Sequence, residues 1–312
     1  MKISEYTDSY RQPILDLWAR ALPLDAVSQD VFEARVLLDE NFDPTTAVIA
    51  LVNNVPVGFI FGAHAKRMPL GDADPNGTRS WITLLAVDPS VSMSEVGGAL
   101  IEHVENKFKA LGKTECYVST YPPGYFTPGI DRNNCKPLLD LFLTKQYSEV
   151  KQALSMDSSI VLFTLSEKVL QKERELKGEG IEFRVYQRTD LVQFMAFLEK
   201  SMPTDWVRVE RANLKKLGTG GFTPEQITIV THGEKIIGYC QFEGSHFGPF
   251  GVSDEYQGRG IGTVLLARTL DRMRTCGYHD AWVMWTDDLA AKVYAKFGFK
   301  ETRRFSILQK QL

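Results

Sequence analysis

The sequence is poor in the features that tie a chain to metal, disulfide or membrane chemistry. Among 312 residues there are four cysteines, Cys116, Cys135, Cys240 and Cys276. They lie far apart, form no CxxC pair and have no histidines nearby at metal-ligand spacing. That pattern speaks for free, mostly buried thiols in a reducing compartment, with no metal site expected. No stretch approaches the ~18 apolar residues of a membrane span, and the opening MKISEYTDSYRQPILDLW lacks an apolar signal core, so a cytoplasmic location is expected. An excess of one charge is missing too. The formal net charge is -3, and without a long basic stretch neither nucleic acid nor an anionic membrane is the expected partner.

What the chain does have is two copies of one pattern. Its length is about twice a typical ~150-residue domain, and 44% apolar with 24% charged residues is ordinary for globular cores. NNVPVGF and GEKIIGY both read as hairpins, entering a second strand through Gly58 and Gly238. KISEY and EFRVY open each copy as short strands before an amphipathic helix. LAVDPSVSMSEVGGALIEHVENKFKALG aligns without a gap with FGVSDEYQGRGIGTVLLARTLDRMRTCG, so Val87, Gly97 and Gly112 match Val252, Gly262 and Gly277. Apolar residues recur every three to four positions at Val96, Leu100, Val104, Phe108 and Leu111, and again at Leu266, Leu270 and Met273. Each run is a helix ended by its glycine.

Each half therefore reads β-α-β-β-β-α-β-α-β. The expected fold class is α+β, with two tandem domains, each a mixed, mostly antiparallel sheet flanked by helices. Expected boundaries are 1–164, a charged linker at 165–180, and 181–312. The first copy has two insertions. AHAKRMPLGDADPNGTRSW is a surface loop, and YPPGYFTPGIDRNN carries aromatics that look exposed, Tyr121, Tyr125 and Phe126.

The most informative stretch runs from Val252 through Gln257, Gly258, Arg259 and Gly260 to Ile261, Gly262 and Thr263, between an apolar strand and a helix. Glycines there allow close backbone approach and expose N–H groups at a positive helix end, which suits a diphosphate. Taken alone, GxGxG is a weak signal, and a bare glycine-rich turn is the structural alternative.

The pattern V-x-x-x-x-Q-x-x-G-x-G at this turn resembles the acyl-CoA-binding motif of the GNAT (Gcn5-related N-acetyltransferase) superfamily. Asp287-Asp-Leu-Ala-Ala-Lys-Val-Tyr294-Ala-Lys-Phe-Gly298-Phe299 resembles the family's N-x-x-A-x-x-x-Y-x-x-x-G-F helix, with Asp287 where Asn is usual. Two copies in one chain resemble the architecture of mycothiol synthases, and no residue carries over their substrate.

The resemblance implies acetyl-CoA as co-substrate and a small primary amine as acceptor. It places the pyrophosphate on the amides of Gly258 to Gly262 with Gln257, Arg259, Ile261 and Thr263 alongside and Asp287 near the site. Phe250 and Val252 would offer backbone groups to the pantetheine arm, and Tyr294 would protonate the leaving thiolate; a half-buried aromatic is the plain alternative for Tyr294. Direct attack needs a neutral amine, hence a base. His246, six residues before Val252, and Glu243 on the incoming strand are the candidates, against a histidine that only bonds within its turn. Trp285 and Thr286 could line the acceptor pocket or belong to the core, and Tyr125 and Phe126 of the long loop could reach it.

In the first copy the aligned positions are Ser92 for Gln257, Glu95 for Gly260, Trp81 for His246 and Phe142 for Tyr294. A carboxylate repels phosphate, so no catalysis is expected in residues 1–160. Competing functions are an acyl-CoA-binding regulatory module without catalysis, or transfer to a protein or peptide amine. The two copies would pack as a pseudo-dimeric monomer or form a homodimer.

Overall fold

Strands β1 (Lys2–Glu5), β2 (Ala47–Val52), β3 (Val55–His64), β4 (Arg79–Val87) and β5 (Glu115–Val118) follow the expected order. Helices α1 (Arg11–Ala21), α2 (Gln29–Phe32) and α3 (Gly98–Ala110) lie between them, and β6 (Ile130–Asp131), α4 (Lys136–Thr144) and β7 (Ser148–Ser159) come after. After α5 (Glu167–Gly178) the order repeats. It runs β8 (Ile181–Val185), α6 (Leu191–Ser201), α7 (Thr204–Lys216), β9 (Ile227–His232), β10 (Lys235–Glu243), β11 (His246–Val252), α8 (Ile261–Thr275), β12 (Asp280–Thr286), α9 (Asp288–Ala295) and β13 (Lys300–Gln311). This computed structural model describes residues 1–312. Contacts divide the chain into Met1–Leu154 with Arg303–Leu312, the first unit, and Ser155–Thr302, the second.

In the first unit β1, β2, β3 and β4 pair antiparallel and β4 pairs parallel with β5. Successive residues of β2 point to opposite faces, and both faces are covered. Val48 and Ala50 pack with Leu100, Val104 and Phe108 of α3, whereas Ile49 and Leu51 pack with Ile14, Leu17 and Trp18 of α1. A strand buried on both sides has no polar alternation, which is why AVIALV is continuously apolar. Leu111, counted with the α3 stripe, is instead 46% exposed, because the helix ends one residue before it.

The loop 121–134 corrects the reading of exposed aromatics. Tyr121 and Phe126 are buried, and Phe126 stands edge-on to Trp18 at 4.8 Å. The Tyr121 hydroxyl donates to Asp39 Oδ1 at 2.8 Å. Aromatic rings in a Pro- and Gly-rich stretch were here drawn into the core beside the parting strands β4 and β5.

In the second unit β8, β9, β10 and β11 pair antiparallel and β11 meets β12 in parallel. Alternation along β10 again separates two faces: Tyr239 joins the cluster under α6 and α7, and Cys240 is fully buried on the other side. The Cys240 thiol is pushed up to about 12 by that burial, so it packs and does not react. Residues 165–180 hold α5, capped by Ser166 Oγ and tied to α8 where Arg268 donates to Glu173 at 2.9 and 2.5 Å.

Candidate active site

The pairing of β11 is one-sided. Toward β10 it runs Val252–Gly238, Gly251–Tyr239 and Phe250–Cys240, shifts register, and resumes at Phe247–Phe242 and His246–Glu243. Toward β12 the registered pair is His246 with Trp282, after which the strands part. From Phe247 to Val252 one edge of β11 therefore presents backbone donors and acceptors to a slot instead of a strand. Such groups need partners, and an extended ligand carrying amides supplies them as an added strand would. Phe250 and Val252 both lie in this segment.

The slot leads into the glycine turn. After Val252 a 3-10 turn spans Asp254–Tyr256, and Gly258 (φ 77°) and Gly260 (φ 86°) take left-handed conformations that ordinary side chains disfavour. Gly260 is the N-cap of α8, and no side chain caps it, so the first N–H groups of that helix, from Ile261, Gly262 and Thr263, are open to a ligand. A Cβ on Gly260 would lie 2.9 Å from Lys172 Cε, and one on Gly262 would lie 3.3 Å from Phe250 Cζ. Arg259 pairs with Glu179 and lies 5.5 Å over the Tyr256 ring. Gln257 braces the turn, donating to Val252 O at 3.2 Å and Asp254 Oδ1 at 2.8 Å. Open amides at a helix start, with Arg259 and Lys172 beside them, fit a diphosphate.

Tyr294 of α9 sits on the α8 side of the slot. It is 5% exposed, with ring centroids 5.3 Å from Phe247, 5.9 Å from Phe299 and 6.3 Å from Phe250. Burial, reinforced by the Cys240 thiol and opposed by a hydrogen bond with Thr286, raises the phenol well above its ordinary value. It therefore holds its proton until a strong base forms beside it. Asp287 fixes α9 as its N-cap, accepting from Leu289 N at 3.0 Å and Ala290 N at 2.9 Å, a task Asn and Asp perform equally well. Thr286 is buried and Trp285 half-buried at the end of β12.

The two candidate bases stand at the hairpin end of β11. The His246 ring lies 4.4 Å from that of Trp282, and exposed Glu243 pairs with Lys216 at 3.2 Å. Four residues separate His246 from Phe250, about 13 Å along an extended strand. Phe126 lies in the first unit's core, and half-buried Tyr125 accepts from Arg35 Nη1 through its carbonyl at 3.2 Å.

A residue outside the sequence reading is Glu210 of α7, fully buried, with burial alone pushing its carboxyl up to about 8. Helical spacing places Trp206, Glu210 and Asn213 on one face of α7, but spacing does not say that this face meets the sheet.

The first unit's counterpart differs at each point. Strands β4 and β5 pair over four residues, Arg79–Glu115 to Ile82–Val118, and Ser119 N donates to Ile82 O at 2.8 Å. Beyond that, residues 127–131 line the parting strands and leave a cavity of ≈ 40 Å³ bordered also by Thr83, Leu84, Cys135 and Phe142. The helical turn Met93–Gly97 is capped by Ser92 Oγ, which accepts from Glu95 N at 3.3 Å. Phe142 is fully buried. No group of His, Cys, Asp and Glu in the chain is arranged to hold a metal, and no helix is long and apolar enough to cross a membrane.

The family profile described as an acetyltransferase (GNAT) domain matches residues 223–301, which hold the slot, the glycine turn and Tyr294. No curated protein matches the chain in sequence. Among solved structures, the chain is similar to the GCN5-related glucosamine N-acetyltransferase region of a fungal multi-domain beta-N-acetylglucosaminidase, with TM-score 0.81 and 16% identity over 99% of this chain; the chain spans 38% of that protein. It is also similar to a GCN5-related N-acetyltransferase from Sphaerobacter thermophilus, with TM-score 0.69, 15% identity and coverage of 99% and 95% of the two chains. A tandem GNAT protein from the clavulanic acid biosynthesis pathway gives TM-score 0.61 and 13% identity, covering 99% and 98%. Residues 223–301 thus match an acetyltransferase (GNAT) domain, and the chain has the fold of a tandem GNAT protein.

Proposed function

We propose that the second unit is an acyl-CoA-dependent N-acyltransferase that moves an acetyl group from acetyl-CoA to a primary amine of a small molecule. One observation carries the reading: the unpaired edge of β11 runs directly into an uncapped glycine turn, with the neutral phenol of Tyr294 beside it. Acetyl-CoA supplies the activated acyl carbonyl. The amides of Gly258 to Gly262, with Arg259 and Lys172, hold its diphosphate, and the free edge of Phe250 and Val252 holds the amide-bearing arm. Tyr294 keeps a proton for the sulfur that leaves. The first unit serves as scaffold, because residues 127–131 border the gap where the second unit has its slot and Ser92 caps the turn aligned with the glycines.

Calorimetry with CoA and acetyl-CoA, followed by thiol release in the presence of primary amines, tests this reading. Binding with turnover is expected. Binding without release of thiol for any small or peptide amine would leave a regulatory module, and indifference to both CoA and acetyl-CoA would remove the reading altogether.

A further inference from the structure

Helix α5 packs on α8, the helix that the glycine turn opens. Val169, Lys172, Glu173, Leu176 and Glu179 recur three or four residues apart or neighbour one another, and so share one face of it. Val169 and Leu176 are buried, and Glu173 holds Arg268 of α8, so that face is fixed against its neighbour. Its other charged residues reach the uncapped start of α8. A Cβ on Gly260 would lie 2.9 Å from Lys172 Cε and 3.5 Å from its Cγ, so the stem of Lys172 rests on the turn. Arg259, between the two left-handed glycines, donates to Glu179 at the C-terminal cap of α5.

Both cations beside the open amides therefore already hold an anion, and each anion is a carboxylate of α5. Lys172 Nζ donates to Glu175 Oε2 at 3.4 Å, as Arg259 does to Glu179. Two cations and the positive end of a helix in one place repel one another, and the carboxylates offset that repulsion. They do not cap α8, whose first amides stay open. A diphosphate bonds those amides and brings more charge than a carboxylate, so it can draw both cations away from α5. The two pairs add little to the hold of α5 itself. Their four side chains are between 37% and 49% exposed, and exposed pairs contribute little to stability. Tyr256, whose ring lies 5.5 Å under the Arg259 guanidinium and whose hydroxyl is 2.9 Å from His232 Nδ1, is a second support that remains when Glu179 lets go.

We propose that α5 carries stand-in anions for the phosphate turn: Glu179 holds Arg259, and Glu175 holds Lys172, until a diphosphate displaces them. This rests on the acyltransferase reading of the same turn and adds its regulation. The contact is autoinhibitory. Filling the turn means breaking two ion pairs, so CoA and acetyl-CoA bind more weakly than the bare cations would hold them. On the way out Glu179 recaptures Arg259, and the CoA product leaves sooner. Helix α5 thus tunes how long the coenzyme stays, with residues that lie outside the matched stretch 223–301.

Calorimetry with CoA, and with inorganic pyrophosphate as the bare probe, tests the contact in wild type, Glu179→Gln, Arg259→Met and the double variant. Glu179→Gln should tighten CoA about 2- to 5-fold and slow its dissociation in stopped flow. In the Arg259→Met background the same change should do almost nothing, because the cation it would free is gone. Equal tightening with and without Arg259 would mean plain repulsion between Glu179 and phosphate, and unchanged CoA affinity in Glu179→Gln would mean no competition. Either result overturns the proposal and leaves the acyltransferase reading in place. Glu167→Gln, the same charge change at the opposite end of α5 where Glu167 pairs with Arg174, should leave affinity as it was; tightening equal to that of Glu179→Gln also overturns the contact. Indifference of all these proteins to CoA removes the acyltransferase reading, and the pyrophosphate comparison then decides the contact alone. Absence of pyrophosphate binding as well overturns both.

Discussion

A phenol that keeps its proton in the resting protein is useful only if something basic arrives next to it. Tyr294 meets the first condition through burial among Phe247, Phe250 and Phe299. Tyr294→Phe removes one hydroxyl and leaves that packing, so kcat should fall by about 10²–10⁴ while calorimetric affinity for acetyl-CoA stays the same. Equal loss in both would deny it the role of acid. Tyr294 and the glycines were legible in the sequence because their meaning is local: each follows from spacing within a dozen residues. Glu210 was not, since a glutamate on an amphipathic helix normally faces water, and only the docking of α7 onto β10 shows which way this one points. His246 illustrates the converse. Its distance from Val252 along the chain is a count, whereas the register shift and the parting of β11 from β12 decide what lies near the reacting end of the slot.

Elements carry these side chains, and their ends are where the site is adjustable. Helix α9 begins at Asp287, whose carboxylate takes two of the helix's open N–H groups. Asp287→Ala should cost about 1 kcal/mol in stability, and because α9 carries Tyr294, kcat should fall as well; Asp287→Asn should restore both. Thermal melts and steady-state rates on the three proteins check this. Helix α8 presents the opposite design, a start left uncapped by a left-handed glycine. Gly260→Ala strains the backbone by roughly 1 kcal/mol or more and pushes on Lys172, 2.9 Å from the new Cβ. Acetyl-CoA affinity measured by calorimetry should drop, whereas Gly258→Ala, with the same sign of φ and open space around it, should act through strain alone and drop it less. The same contrast explains the first unit, where Ser92 occupies the helix turn that Gly260 leaves free.

At the scale of the whole molecule, the order of elements was legible and one partnership was not. Repeats matched in register reveal that two copies exist and how their strands follow one another, but nothing in the patterns of β7 and β13 names the strands beside them. Period alone cannot name a neighbour. In the structure the last ten residues belong to the first unit: Leu308, Gln309, Lys310 and Gln311 pair with Val118, Tyr117, Cys116 and Glu115. Side chains lock the arrangement. Arg303 donates to Asp25 at 2.6 and 2.8 Å and to Asp131 at 2.6 Å, and Lys310 pairs with Glu105 at 2.8 Å. Asp131 is buried, which works against its ionisation, yet hydrogen bonds from Asn134 and Arg303 outweigh that and hold its carboxyl below the ordinary range. A folded value below the unfolded one adds stability above the unfolded pKa of about 4, and that stability is lost as pH falls through the folded value. Arg303→Met strips the cation from two carboxylates and should cost about 3–5 kcal/mol at neutral pH. At pH 3, where more of the Asp131 population is protonated and the missing cation matters less, the gap between variant and wild type should narrow. Urea melts of both proteins at the two pH values decide it, and a gap of equal size at each would mean that packing, not charge, holds the C-terminal strand in place.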